Sequence, residues 1–135
     1  KTLQGLDTKN VKELQKVGKL VRDKIIKAEL PSNLKNEISE AYRNLSNAYQ
    51  MKEADTAVRS SATAEDLPGA SFAGEHETYL NVVGEKNVLQ ATKEAMASLW
   101  NDRAISYRVD KGFNHFEFFT ISVLSGSSIL NACFI

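Results

Sequence analysis

The stretch VRSSATAEDLPGASFAG, Val58 to Gly74, decides how this chain is read. One arginine is followed by a run of hydroxyl, alanine and glycine residues with almost no large side chain. A hydrophobic core has no use for such a run. Ser60, Ser61, Thr63 and Ser71 each carry a hydroxyl able to donate to an anionic oxygen. Ala62, Ala64, Ala70 and Ala73 keep the side chains short, and Gly69 and Gly74 permit close backbone approach to a ligand. Backbone amides in such a turn form an anion-binding concavity, and Arg59 adds a permanent planar charge suited to bidentate phosphate contact. The residues thus read as a clamp for a triphosphate, a strand delivering Arg59 to the mouth of a small-residue lid. A plainer reading stands beside it: Glu65-Asp66-Leu67-Pro68-Gly69 is ordinary turn chemistry, and Arg59 could pair with one of those carboxylates. The stretch has neither the G-x-x-x-x-G-K-[ST] spacing of a P-loop nor the G-x-G-x-x-G of a dinucleotide fold.

The rest of the chain sets limits on that chemistry. Its 135 residues suit one domain with a real core. Lysine and arginine number 17, aspartate and glutamate 17, so no global field favours nucleic acid or an anionic membrane. Any anion binding must be local. Cys133 is the only cysteine, which rules out an internal disulfide and makes a reducing cytoplasm the expected compartment. The chain opens at Lys1 with no basic-then-apolar leader, which suggests a partial or processed chain. The apolar tail FFTISVLSGSSILNACFI, Phe118 to Ile135, approaches the length of a membrane span. Its serines and glycine between Ser122 and Ser128, with Asn131, argue instead for a buried strand followed by a turn.

Two helices are expected first. Val11, Leu14, Val17, Val21 and Ile25 recur at helical spacing, with Asn10 and Glu13 placed as N-cap and N3. Pro31 suits a first helical turn, and Leu34, Ile38, Ala41, Tyr42, Leu45 and Tyr49 form the second stripe. Character changes near Asp55, so residues 1–54 form a helical part and 55–135 a strand-loop-strand-helix-strand part of one domain. Thr56-Ala57-Val58 leads into Arg59 as a strand. Thr78, Leu80 and Val82 alternate with Tyr79, Asn81 and Val83 as another, ended by Gly84. Val88, Ala91, Ala95, Met96, Leu99 and Trp100 mark a third helix, and Asn101-Asp102 caps a continuation through Tyr107. Phe116 to Val123 is the last expected strand. This order predicts an α+β layer structure, N-terminal helices packed on a small mixed or antiparallel sheet, and not a bundle.

VRSSATAEDLPGASFAGEHETYLNV, followed by ASLWNDRAISYR, closely resembles the nucleotide-binding domain of the phosphoenolpyruvate synthases. That family has an ATP-grasp fold and belongs with the pyruvate phosphate dikinases and rifampin phosphotransferases. The likeness is strong from about Thr56 to Glu117 and continues more weakly upstream, where LP…EISEAYRNL, Leu30 to Leu45, is similar to the helix before the arginine strand. Ser61 and the Ser71-Phe72-Ala73-Gly74 run favour the synthase branch over the dikinase, whose corresponding stretch usually reads Ser-Gly-Ala with a Met-rich loop. Rifampin phosphotransferases share almost the same residues.

The resemblance implies a partial ATP-grasp domain that helps pass a phosphoryl group from ATP to a histidine on another domain. In the whole enzyme pyruvate, ATP and water become phosphoenolpyruvate, AMP and phosphate. By that likeness Arg59 contacts the ATP phosphates and is the catalytic cation, Ala73 and Gly74 belong to the loop closing over them, and Thr78 lies beside the nucleotide. Ser60, Ser61 and Thr63 supply phosphate-binding or loop-ordering hydroxyls. Mg²⁺ is expected with ATP, on ligands outside this chain. The family's Gly-Gly-Lys segment falls upstream of Lys1, and its acidic metal ligands, phosphohistidine domain and pyruvate barrel fall downstream of Ile135, so the chain alone is expected to be inactive. Neither His76 nor His115 lies in a phosphohistidine motif. After Glu117 the family usually continues with a Val-rich strand containing Gln and Met, from which FFTISVLSGSSILNACFI departs. A rifampin phosphotransferase-type ATP-binding domain and a non-catalytic interaction domain remain as alternatives.

Other residues attract plainer readings. His76 between Glu75 and Glu77 suits a solvated strand start. Ser60, Asp66 and His76 lack the spacing of a hydrolytic triad. Met96 and Trp100 belong to the core. Arg103 and Arg108 could reach phosphate but better suit pairing with Asp102, Asp110 or helix carbonyls, and Cys133 is structural.

Overall fold

The computed structural model of the chain describes residues 6–61, 77–113, 120–125 and 128–132. Among the described residues four helices and four strands follow in the order α1 (Val11–Lys27), α2 (Ser32–Ala48), β1 (Thr56–Ser61), β2 (Thr78–Val82), α3 (Glu85–Ser98), α4 (Asp102–Lys111), β3 (Thr120–Ser125) and β4 (Ser128–Ala132). The strands form one sheet in the order β2-β1-β3-β4, every neighbouring pair antiparallel. The domain is α+β, as the pattern of elements predicts.

Local chemistry accounts for the helix ends. The Asn10 side chain accepts the Glu13 amide at the start of α1 at 3.3 Å, and Asn101 accepts the Ala104 amide at the start of α4 at 2.7 Å, each satisfying a first-turn donor that has no helical partner. Gly112, at φ +70, closes α4 in the left-handed conformation. Pro31 stands one position before α2, as its cap and not in its first turn.

Two apolar clusters hold the layers together. Leu14, Leu99, Trp100 and Ile105 pack where α1 meets the corner between α3 and α4, with Val21 and Ile25 alongside. Ile38, Tyr42, Val58, Val88, Ala91 and Ala95 join α2 and α3 to β1, with Tyr79 and Val82 of β2 packed against them. Val11, expected on the first stripe, is instead 58% exposed. Gly18 takes a place on that stripe because α4 comes close: a Cβ there would stand 2.7 Å from Asp102 Oδ1 and 2.9 Å from Arg22 Nη1.

Two features of the sheet differ from the expectation. Strand β3 runs past Val123 to Ser125, and a fourth strand follows after only residues 126–127. Strand β2 also does not alternate simply. Thr56 pairs with Val82 and Val58 with Tyr79, so between these pairs one residue of β1, Ala57, stands against two of β2, Leu80 and Asn81. That extra residue is a bulge, and Asn81 has φ +55 within it. Tyr79 and Val82 therefore both turn toward the helices, while Leu80 and Asn81 are exposed.

Candidate functional site

Strand β1 carries the arginine through the middle of the sheet. Arg59 stands in register with Thr78 on one side and Ser122 on the other. Thr56, Val58 and Ser60 are buried, and α3 packs on this strand. Side chains of a strand alternate between faces, so Arg59 lies on the face turned away from the helices. Directly paired residues share a face, and Thr78, exposed, therefore accompanies Arg59 there. Arg59 itself is half-buried. A guanidinium and a threonine hydroxyl on the sheet face turned away from the helices make a donor-rich pair, which suits an oxyanion.

Ser60 is placed differently. Its side chain is fully buried on the helix-facing side, and its Oγ finds no hydrogen-bond partner among the described residues. The fold brings together Arg59, Thr78 and the backbone of Ser61, which pairs with Thr120. It sets the Ser60 hydroxyl on the other side of the strand. Thr63, Ala73 and Gly74 lie outside the described residues, as do His76, His115 and Cys133. Among the described residues there is no group of three or more His, Cys, Asp or Glu that could hold a metal ion. No helix among them is long and apolar enough to cross a membrane.

Beneath the sheet, polar side chains fix the strand ends. The buried Tyr42 hydroxyl donates to the Ala54 carbonyl at 2.9 Å and accepts the Gly84 amide at 2.8 Å. Ser46 Oγ accepts the Ala54 amide and donates to the Tyr42 carbonyl, both at 3.0 Å. Thr56 Oγ1 donates to the Val82 carbonyl at 2.7 Å. The stripe pattern reads Tyr42 as core and misses its hydroxyl, which nothing in the local sequence reveals.

The two arginines near the α3–α4 corner are structural. Arg108, buried against the Trp100 ring, donates to the Leu99 carbonyl at 2.6 Å. Burial pushes its guanidinium down to about 10, which leaves it charged at neutral pH. Arg22 donates to the next carbonyl, Trp100, at 2.6 Å and meets Asp102 at 3.3 Å. The helix-carbonyl role expected for Arg108 holds; the partner of Asp102 is Arg22, which sequence reasoning missed, and Arg103 is exposed. Two clefts open elsewhere. One of about 400 Å³ is lined by Arg22, Glu77, Tyr79, Glu94 and Asp102, among others. The second, about 470 Å³, lies among Lys35, Lys86 and Lys93. Arg59 lines neither.

Comparison with known proteins supplies what the geometry leaves general. Residues 1–124 match the family model of the pyruvate phosphate dikinase AMP/ATP-binding domain. The chain belongs to that family. The match extends seven residues beyond Glu117, into strand β3, so the departure expected from there begins later. The chain is 54% identical over 117 residues to a phosphoenolpyruvate synthase of Aquifex aeolicus, covering 87% of this chain and 14% of the relative. It is 50% identical over 115 residues to the phosphoenolpyruvate synthase of Helicobacter pylori, with 85% and 14% covered. The Pseudomonas aeruginosa phosphoenolpyruvate synthase is 51% identical over 113 residues, with 84% and 14% covered. The chain thus spans about a seventh of the length of these curated relatives.

Proposed function

We propose that this chain is the ATP-binding part of a phosphoenolpyruvate synthase, a pyruvate, water dikinase. In that reading it helps transfer a phosphoryl group from ATP to a histidine on another domain, in the conversion of pyruvate to phosphoenolpyruvate with release of AMP and phosphate. The single observation that carries the proposal is the position of Arg59, in mid-sheet register with Thr78 on the face turned away from the helices, within a chain of the AMP/ATP-binding family. The names of the relatives, phosphoenolpyruvate synthases, support phosphoenolpyruvate as the product. Arg59 neutralises charge on the phosphates as it shifts during transfer, the kind of preorganised electrostatic contact that contributes most to phosphoryl transfer. Thr78 and the Ser61 end of β1 flank it, and Thr63, Ala73 and Gly74 come from the small-residue segment between the two strands. Ser60 serves the site through its backbone. Mg²⁺ accompanies ATP on ligands supplied from outside this chain, and the compartment is the cytoplasm.

Titration of the isotope-labelled chain with Mg-ATP, followed by amide NMR, tests the proposal. Shifts confined to residues between Arg59 and Thr78 are expected, at millimolar nucleotide because this chain supplies one part of a cleft. Shifts confined to the helical faces would point to an interaction domain instead. Grafting the segment into a full-length relative and assaying AMP formation with pyruvate against rifampin separates the synthase from the antibiotic-modifying reading.

A further inference from the structure

We propose that Tyr42 is a positioning residue whose hydroxyl pins the register of β2, so that Thr78 stands opposite Arg59. The inference rests on the reading of Arg59 and Thr78 as the phosphate-facing pair.

The strand that carries Thr78 is poorly held by burial. It lies at the edge of the sheet, joined only to β1 among the described strands. Three of its five residues, Thr78, Leu80 and Asn81, are exposed, and the bulge interrupts its ladder. A strand with so little buried surface has weakly specified register, and a slip of one residue exchanges its faces. Such a slip would carry Thr78 away from Arg59 and bring a neighbour across in its place.

Polar anchors at the foot of the hairpin oppose the slip. One hydroxyl, Tyr42 Oη, holds both feet: the Ala54 carbonyl just before β1 and the Gly84 amide just after β2. Tyr42 is itself only 3% exposed and stands on α2, within the apolar cluster that joins the helices to β1. Its ring is therefore fixed by packing, and its hydroxyl forms a rigid bridge between two points thirty residues apart in the chain. Thr56 Oγ1, bonded to the Val82 carbonyl, is the second pin, one pair inward. Both pins lie on the far side of the bulge from the Arg59–Thr78 pair, so the bulge absorbs the extra residue only while the feet stay level.

The test uses the full chain without nucleotide and compares Tyr42→Phe, Thr56→Val and, as a control in the other cluster, Leu14→Ala. Loss of two hydrogen bonds at the foot is expected to raise hydrogen exchange at the Thr78 and Val82 amides about tenfold or more in Tyr42→Phe. Cross-strand nuclear Overhauser contacts between Arg59 and Thr78 weaken with it, while exchange at Leu14 and Ile105 stays within about twofold. Leu14→Ala shows the reverse, loosening α1 and α4 and leaving Thr78 as it was. Unchanged Arg59–Thr78 contacts in Tyr42→Phe, or exchange at Thr78 rising no more than at Ile105, would overturn the inference. If Tyr42→Phe does not fold, Thr56→Val carries the same expectation, and retained contacts in that variant overturn it. These contacts are measured without ATP, so a chain that ignores ATP counts against the proposed function and not against the pin.

Discussion

Replacing Ser60 by alanine is predicted to stabilise the chain. Ser60 is fully buried in β1, and its hydroxyl finds no partner among the described residues. A hydroxyl taken out of water with no compensating hydrogen bond costs about 1–3 kcal/mol. The alanine variant removes that cost and gives up only the dispersion contacts of one oxygen, a few tenths of a kcal/mol. The net gain is about 1–2 kcal/mol. An unfolding entropy of about 2.1 cal/mol/K per residue, over a chain of this size, gives about 3–4 °C for each kcal/mol, so the midpoint should rise by about 4–7 °C. Thermal unfolding gives that midpoint, and urea unfolding read through Trp100 fluorescence gives the stability change itself, because Trp100 is the only tryptophan and is 8% exposed. A midpoint that moves without a change in m-value marks a change in stability alone. A loss of 1 kcal/mol or more would mean that the hydroxyl is bonded in the folded chain, and the assignment of the two faces of β1 would fall with it.

Gly84 has φ +94, and a Cβ there would lie 3.2 Å from Glu53 Oε1. Gly84→Ala should therefore lose about 1–2 kcal/mol of stability by thermal or urea unfolding, and a neutral result would refute the backbone conformation at the start of α3. Burial first, and then the hydrogen bond to Glu77 with the negative charge of Glu77 and Glu94, push the Tyr79 phenol above its ordinary value. An absorbance titration should find the Tyr79 phenol ionising above the ordinary tyrosine value. Its contribution to stability is whole below about pH 10 and is lost only as pH rises through its own raised value. Glu77→Gln should bring Tyr79 back toward the ordinary range, and ionisation of Tyr79 at the ordinary value in the unaltered chain would contradict the geometry.

Much of this fold is legible in the residues because the helices obey a single period. Asn10 with Glu13, and Asn101 before α4, announce their caps, and the stripe through Ile38, Tyr42 and Leu45 marks the face that meets the sheet. The tail was harder to read. Ser125 to Ser128 has the composition of a two-residue hairpin turn, yet the apolar residues on either side also fit one strand and a loop, and only the pairing of β4 with β3 separates the two. The bulge in β2 is similarly hidden: Thr78 to Val83 alternates well, and Asn81 at positive φ is the one local hint. At the candidate site, the run after Val58 points to Arg59 and Thr78. That pattern carries no information on which face of β1 each hydroxyl takes, and so it groups Ser60 with them. The role of the Tyr42 hydroxyl is hidden for a related reason, since a buried aromatic at helical spacing fulfils the core pattern whatever its hydroxyl does.

The central claim is that the Arg59 guanidinium meets the phosphates of ATP. Single-turnover phosphoryl transfer from ATP tests it most directly, in a full-length phosphoenolpyruvate synthase carrying this segment with Arg59→Ala. The rate should fall by about 100-fold or more while the unfolding midpoint stays within a few degrees of the unaltered graft. Transfer at the rate of the unaltered graft would contradict the account.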